Sequence, residues 1–165
     1  MRLRPLHPDD LAAISRWAAD AEFCRANGWR VGLSERDLTR WMAPIIAGDD
    51  PTFLRLGVEF GGRLIGFVDL AHLNGYSAEL GIAIGERRLW GRGLGERAAR
   101  LILAHGFGTL GLSLIRAEVH VTNARSLALM HRLGFRDLGL SPELEMYRGV
   151  WTQVRTFQMT PADII

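Results

Sequence analysis

Three glycines at alternate positions, Gly91, Gly93 and Gly95, lie between an apolar stretch and a helical pattern. Glycine backbone approaches a ligand closely and adopts positive φ, so several N–H groups can converge on one anion. The first turn of a following helix adds unpaired donors and the positive end of its dipole. The arginines nearest the loop are Arg87, Arg88, Arg92 and Arg97. This spacing predicts a binding site for a ligand that carries phosphate.

The glycine spacing also separates the classes of phosphate ligand. Dinucleotide loops read G-x-G-x-x-G and the phosphate loop of NTPases ends in G-K-[ST], whereas this loop reads G-x-G-x-G without a following Lys. Trp90 to Gly95 instead resembles motif A of the GNAT acyltransferase superfamily, [QR]-x-x-G-x-[GA]. Trp90 replaces the usual Gln or Arg, as in the branch that includes ribosomal-protein and polyamine N-acetyltransferases. The resemblance implies that the phosphate belongs to acetyl-CoA; a loop with solvated arginines is the structural alternative.

A second segment, Asn123 to Phe135, is similar to the other GNAT motif, N-x-x-[AS]-x-x-[LM]-[YF]-x-[KR]-x-G-F. Asn123 is also suited to cap a helix, and Gly134 to end it in a left-handed conformation. A purely structural role for both residues therefore stays open beside direct contact with the coenzyme. Two motifs in the family's order are more specific than either alone.

By this resemblance the coenzyme lies along the strand before the loop, the loop itself and the start of the second helix. The residues implied to bind acetyl-CoA are Ile82, Ala83, Ile84, Arg87, Arg92, Gly93, Leu94, Gly95, Glu96, Asn123 and Ser126. The resemblance implies no metal.

One position departs from the family. The tyrosine that many members use to protonate the departing thiolate is Met130 here, and a thioether cannot donate a proton. Only Tyr76 and Tyr147 could replace it by residue type, and the sequence places neither. Because a thiol has a pKa near ~8.5, a thiolate also leaves fairly well unaided.

Transfer to an amine needs a proton acceptor, because an ammonium cannot attack. Glu79 alternates out of the apolar strand that enters the phosphate loop, so it is the best candidate, acting directly or through water. The alternative is that Glu79 is an ordinary solvent-exposed carboxylate on the strand, without a catalytic role. His72 and His120 are weaker candidates, and Cys24 has no histidine nearby in sequence to activate it as a nucleophile.

Composition limits the class of protein. At 165 residues with 48% hydrophobic content, we expect one domain, 1–165, with a substantial core. The net charge of +2 argues against nucleic acid, and no apolar run predicts a membrane span. One cysteine fits a reducing cytoplasm. The chain has no lysine, and all 20 of its Lys-or-Arg positions are arginine, which codon bias explains best.

Hydrophobic periodicity and turn residues predict the elements around the two motifs. We expect a short first strand, helices over about 8–19 and 34–47, and irregular structure over 20–32. Three antiparallel strands follow to Ile84, then the motif helix from Glu96, a strand from Leu112 to Val121 and the Asn123 helix. Two last strands are expected over about 135–140 and 147–159. The order predicts an α+β protein with a mixed, mostly antiparallel sheet and about four helices, which matches the GNAT fold.

The resemblance therefore implies an N-acetyltransferase that moves the acetyl group of acetyl-CoA to a primary amine by direct attack in a ternary complex, and the single cysteine indicates a cytoplasmic location. The alternative is a non-catalytic CoA-binding or sensing domain, which Met130 favours. NAD(H) binding is a distant third, because the glycine spacing is wrong for it. The sequence does not identify the acceptor, which is either a small-molecule amine or a protein N-terminal amine. A homodimer is compatible with the sequence.

Overall fold

The sheet is the centre of the molecule. The structure, a computed structural model, describes residues 1–164, which form seven strands and five α-helices. The strands are β1 (Arg2–Pro5), β2 (Leu54–Phe60), β3 (Arg63–Ala71), β4 (Ser77–Ile84), β5 (Leu114–His120), β6 (Arg136–Tyr147) and β7 (Val150–Met159). The helices are α1 (Leu11–Ala18), α2 (Ala21–Ala26), α3 (Glu35–Ala47), α4 (Leu94–Ala104) and α5 (Ala124–Leu133).

The spatial order of the strands is β1-β2-β3-β4-β5-β7-β6, and β4 and β5 form the parallel pair in this mixed sheet. Each face of the sheet carries its own apolar core. Ile102 of α4 and Met130 of α5 pack with Ile115 on one face. Trp17 of α1 and Phe23 of α2 pack with the strands on the other face. Across residues 1–164, no helix has both the length and the apolar composition needed to cross a membrane.

The parallel pair is short, and this creates the site. β4 and β5 pair only from Ser77 to Glu79 against Leu114 to Arg116. Both strands continue well past that point, to Ile84 and His120. Their facing backbone groups therefore diverge and open a gap between them, while β4 stays paired to β3 on its other edge.

Four predicted segments differ from the structure: the stretch 20–32, the last two strands and the motif helix. The stretch 20–32 contains α2, which Asp20 caps by accepting hydrogen bonds from the N–H groups of Glu22 and Phe23. β6 does not end near residue 140 but continues through a register shift between Leu140 and Leu144. Its tight turn at Arg148-Gly149, where both residues have positive φ, places the last strand at Val150 rather than 147. The motif helix also begins two residues early, at Leu94.

Candidate functional site

The gap between β4 and β5 is a groove of about 720 Å³. Its walls are Leu80–Ile84 of β4 and Ala117–His120 of β5. The start of α4 and the start of α5 close one end, while α2 and the turn between β6 and β7 close the other. The two sequence motifs therefore meet at one end of a single groove.

The glycine loop forms a cradle at the first of these ends. Gly91 and Gly93 have φ of 76° and 74°, so the backbone turns in a conformation that other residues rarely adopt. A side-chain carbon added at either glycine would meet no atom within 4 Å, and one at Gly95 would meet only Ile84, at 4.0 Å. The space that side chains would fill is thus left free beside the unpaired N–H groups of α4. This fits the pyrophosphate of coenzyme A.

Trp90 anchors the cradle. Its Nε1 donates a hydrogen bond to the carbonyl oxygen of Ile84 at 2.6 Å, so the loop is tied back to the end of β4. The guanidinium of Arg125, at the start of α5, lies 5.3 Å from the Trp90 ring centre. The tryptophan that departs from the family pattern therefore joins the loop to both neighbouring elements.

Nine of the eleven expected coenzyme residues line the groove. These are Ile82, Ala83, Ile84, Gly93, Leu94, Gly95, Glu96, Asn123 and Ser126. Arg87 and Arg92 do not line it, and Arg87 instead pairs with Asp20, with Nη1 and Oδ1 3.4 Å apart. Arg125 and Arg132, which the sequence reasoning missed, line the groove from α5.

Glu96 and Asn123 have clear local roles. Hydrogen bonds from Arg132, at 2.9 Å, and from Arg100, at 3.1 Å, lower the pKa of the Glu96 carboxyl, and the bond from Arg132 joins α5 to α4. The Asn123 side-chain oxygen accepts from the Ser126 N–H at 3.2 Å, which is the expected helix cap.

The second end of the groove is rich in carboxylates. Glu118 of β5 lines the groove, and Glu79 lies on the same face of the sheet, because it is directly opposite Arg116 in the β4–β5 register. Glu79 itself does not line the groove; its carboxylate is 40% exposed and lies 3.9 Å from His72. The pKa of Glu118 is raised, first because the walls desolvate the carboxylate and then because Glu79 and Glu145 are negative.

Tyr147 lies beside these carboxylates. It is 7% exposed, lines the groove and stacks on His120, with ring centres 4.3 Å apart and planes 8° apart. His120 Nε2 is 3.1 Å from Glu145 Oε2. Tyr76, the other tyrosine, is 61% exposed and does not line the groove. The structure thus distinguishes two tyrosines that the sequence could not.

An ion pair bridges the mouth at this end. Arg148 Nη1, on the β6–β7 turn, donates to Glu22 Oε1 of α2 at 2.7 Å, and both residues line the groove. Met130 is 4% exposed and also reaches the lining from α5. Within residues 1–164, no three His, Cys, Asp or Glu side chains form a group suited to a metal ion. Cys24 is buried in the core of α1–α3, away from the groove.

Comparison with known proteins gives a consistent result. A family model for the acetyltransferase (GNAT) domain matches residues 1–136. Over 74 residues the chain is 35% identical to the uncharacterized protein MJ1062 of Methanocaldococcus jannaschii, a match that spans 45% of this chain and only 15% of that protein.

Solved structures extend the match to the whole fold. The spermidine N-acetyltransferase of Vibrio cholerae, in complex with CoA and spermine, has a TM-score of 0.86 at 24% identity over 98% of this chain and 95% of that one. A SpeG chimera of Vibrio cholerae and hSSAT has a TM-score of 0.82 at 26% identity over 98% of both chains. The α+β fold predicted from the sequence is confirmed.

Proposed function

Because the chain belongs to the GNAT acetyltransferase family, we propose that it transfers the acetyl group of acetyl-CoA to a primary amine of a small cationic molecule. The observation that carries the proposal is the single groove with a phosphate cradle at one end and carboxylates at the other. The spermine bound to the Vibrio cholerae neighbour is a molecule of that acceptor class. We place this activity in one domain spanning the chain, in the cytoplasm.

The cradle end holds the coenzyme. The N–H groups at the start of α4 bind its pyrophosphate, and Arg125 and Arg132 add positive charge nearby. The β4 backbone from Leu80 to Ile84, unpaired on its β5 side, can hydrogen-bond along the pantetheine arm. Acetyl-CoA supplies an acyl group on a thiolate that leaves readily. The protein holds the two substrates in position and supplies hydrogen-bond donors, and no covalent enzyme intermediate forms.

Glu118, with Glu79 behind it, takes the proton of the incoming ammonium. Glu118 faces the groove and its raised pKa makes its carboxylate a better proton acceptor near neutral pH. Glu79 holds negative charge next to it and can act through water. Both carboxylates also attract a cationic acceptor, and Glu22 offers a third at the mouth.

The Tyr147 hydroxyl is the proton donor that Met130 cannot be. Of the two tyrosines in the described residues, Tyr147 is the one that lines the groove. It lies in the last hairpin, far in sequence from the position of the usual family tyrosine. Its stacking on His120 fixes the ring. The proton passes to the departing thiolate, and the Tyr147 phenolate then regains a proton from solvent at that end of the groove.

A CoA-release assay with spermine, spermidine, an aminoglycoside and an N-terminal peptide tests this function. We expect release with the polyamines and little with the peptide, because a short peptide carries fewer closely spaced positive charges. A protein that binds acetyl-CoA and releases no CoA with any of the four amines is a binding or sensing domain, and the proposal is then wrong.

The substitution Gly93→Asp tests the coenzyme site separately. It puts a carboxylate in the phosphate cradle, so the affinity for acetyl-CoA measured by calorimetry should be lost. Gly62→Asp is the matched control, because Gly62 also has positive φ, at 72°, and open space around it but lies in the β2–β3 turn. Unchanged affinity in a folded Gly93→Asp variant would exclude this binding mode.

A further inference from the structure

The turn between β6 and β7 carries an arginine in an unfavourable backbone conformation. Arg148 and Gly149 lie between the paired residues Tyr147 and Val150, and both have positive φ, at 53° and 82°. A two-residue turn of this kind usually carries Asn-Gly or Asp-Gly, because the left-handed conformation crowds Cβ and a short polar side chain compensates with local hydrogen bonds. Local structure therefore does not account for an arginine at this position, and the reason lies in what its side chain contacts.

That side chain spans the mouth of the groove. Arg148 Nη1 donates to Glu22 Oε1 of α2 at 2.7 Å, and both residues line the groove. The central carbon of the guanidinium lies 5.4 Å from the centre of the Tyr147 ring. The positive charge of Arg148 is thus placed inside the groove, beside the proposed proton donor.

Glu22 has a second cationic partner outside the groove. Its other oxygen, Oε2, lies 3.6 Å from Nη2 of Arg25, which is three residues further along α2. Arg25 does not line the groove. When Arg148 moves away, Glu22 therefore keeps one partner that holds it in place, and its Oε1 becomes free to accept from a donor inside the groove.

The pair between Arg148 and Glu22 is suited to exchange. The two side chains are 42% and 31% exposed, and ion pairs with that much solvent around them contribute little net free energy. An ammonium group offers Glu22 the same charge and the same kind of N–H donor. If that ammonium belongs to a molecule already bound in the groove, it competes with Arg148 at a high effective concentration.

We propose that Glu22 is the subsite for a second positive charge of the acceptor, and that Arg148 occupies this subsite in the free protein as an internal competitor. The inference rests on the proposed function, in which the reacting ammonium lies at Glu118. An acceptor with two or more positive charges fills both positions and displaces Arg148. A monoamine has no second charge for Glu22, so Arg148 stays in place across the mouth.

Calorimetry on protein loaded with CoA tests the subsite without turnover. The probes are octylamine and the diamine with an ammonium at each end of the same eight-carbon chain. Arg148→Asn places Asn-Gly in the turn, so this variant should fold at least as well as wild type. It should raise the affinity for the diamine, relative to that for octylamine, by about fivefold to tenfold, because a surface ion pair no longer closes the subsite.

Arg25→Gln is the matched control. It removes the same charge from the same carboxylate, but from outside the groove, so the ratio of the two affinities should stay near the wild-type value. Glu22→Gln should lower the ratio, because it removes the subsite itself. In that background, the further change Arg148→Asn should have no effect on the ratio.

Two results would overturn the proposal. An unchanged ratio in Arg148→Asn would show that Arg148 does not compete for Glu22, and an equal rise in Arg25→Gln would show that only the net charge near the mouth matters. The transfer reaction is tested separately by the release of CoA. A protein that shows the expected affinities but releases no CoA would therefore refute the reaction and support the subsite.

Discussion

At the scale of single residues, Glu118 and Glu79 are expected to have different roles. Glu118→Gln removes the carboxylate that lines the groove, so turnover at neutral pH should fall on the order of a hundredfold while acetyl-CoA affinity is kept. The loss should shrink at high pH, where the amine deprotonates without help. Steady-state kinetics from pH 6 to 10 measure both effects.

Glu79→Gln serves as the comparison. Removing its charge takes away one cause of the raised Glu118 pKa. Because Glu118 is ionised only above its pKa, the acidic limb of the rate profile should move to lower pH with turnover largely kept. If Glu79→Gln loses a hundredfold and Glu118→Gln does not, Glu79 is the base itself, as the sequence suggested.

Tyr147→Phe tests the proton donor. The ring still stacks on His120, so folding should be unaffected, while turnover falls about tenfold because the thiolate is then protonated by water. Met130→Tyr in the same background restores a phenol at the family's position and should recover the rate. Equal turnover of wild type and Tyr147→Phe would assign the proton to solvent.

The sequence predicts the glycine-loop end of the groove better than the hairpin end. Asn123 and Gly93 were identified because their chemistry depends on neighbours within a few residues along the chain. Tyr147 could not be placed, because two register shifts in β6 decide which of its side chains reach the groove. In a strand, side chains alternate between the two faces of the sheet, so one extra residue at a bulge reverses the face predicted for every residue after it.

At the scale of secondary-structure elements, a buried ion pair joins β2 to β3. Arg55 Nε and Nη2 each lie 2.7 Å from an oxygen of Asp69, and the guanidinium stacks 3.9 Å from the Phe67 ring centre. Among residues 1–164, Arg55 Nη1 is the buried side-chain nitrogen without a hydrogen-bond partner. Gly81 leaves room for Asp69, since an added carbon there would lie 3.2 Å from the Asp69 Cβ.

We therefore expect Asp69→Asn to destabilise the fold by about 3–5 kcal/mol, because it leaves a buried guanidinium charge uncompensated. Urea denaturation measures the change. The double variant Arg55→Met/Asp69→Leu, which removes both charges, should be more stable than Asp69→Asn. The opposite order would mean that the pair itself stabilises the sheet.

The elements were predictable where their patterns were long. The span of α3 with its Ser34 cap, the strand β4 and the helix α5 with its cap and left-handed Gly134 all match the sequence prediction. α2 was missed because its six residues make less than two helical turns, which is too short to show a helical spacing of apolar residues. Its formation depends on burying Phe23 and Cys24 against α1, a contact that no local signal reveals.

At the scale of the whole molecule, a charged cluster closes the first edge of the sheet. Arg4 of β1 lies 2.7 Å from Asp10, before α1, and 2.9 Å from Glu59 of β2. Burial alone would raise the pKa of Asp10, but hydrogen bonds from Arg4 and from the His7 N–H outweigh it, so the pKa is lowered. The cluster therefore stabilises the fold only while Asp10 is ionised.

A carboxyl whose pKa is lowered by folding contributes its stability above its unfolded pKa of ~3.9 and loses it as the pH falls through the folded pKa. Asp10→Asn should thus unfold at lower urea than wild type at pH 7, with a gap that narrows toward pH 2. Asp9→Asn, one residue away and largely exposed, is the control and should match wild type. A gap that is constant with pH would show that Asp10 acts by packing alone.

The use of arginine throughout has a consequence for a protein that works on amines. Apart from histidine, every basic side chain at the groove and in the ion pairs is a guanidinium, which stays protonated and is no nucleophile. The sequence has no lysine amine to compete with the acceptor of the proposed reaction. The Glu96, Glu22 and Asp69 pairs therefore keep their positive partners in the presence of acetyl-CoA, because no lysine partner can be neutralised by acetylation.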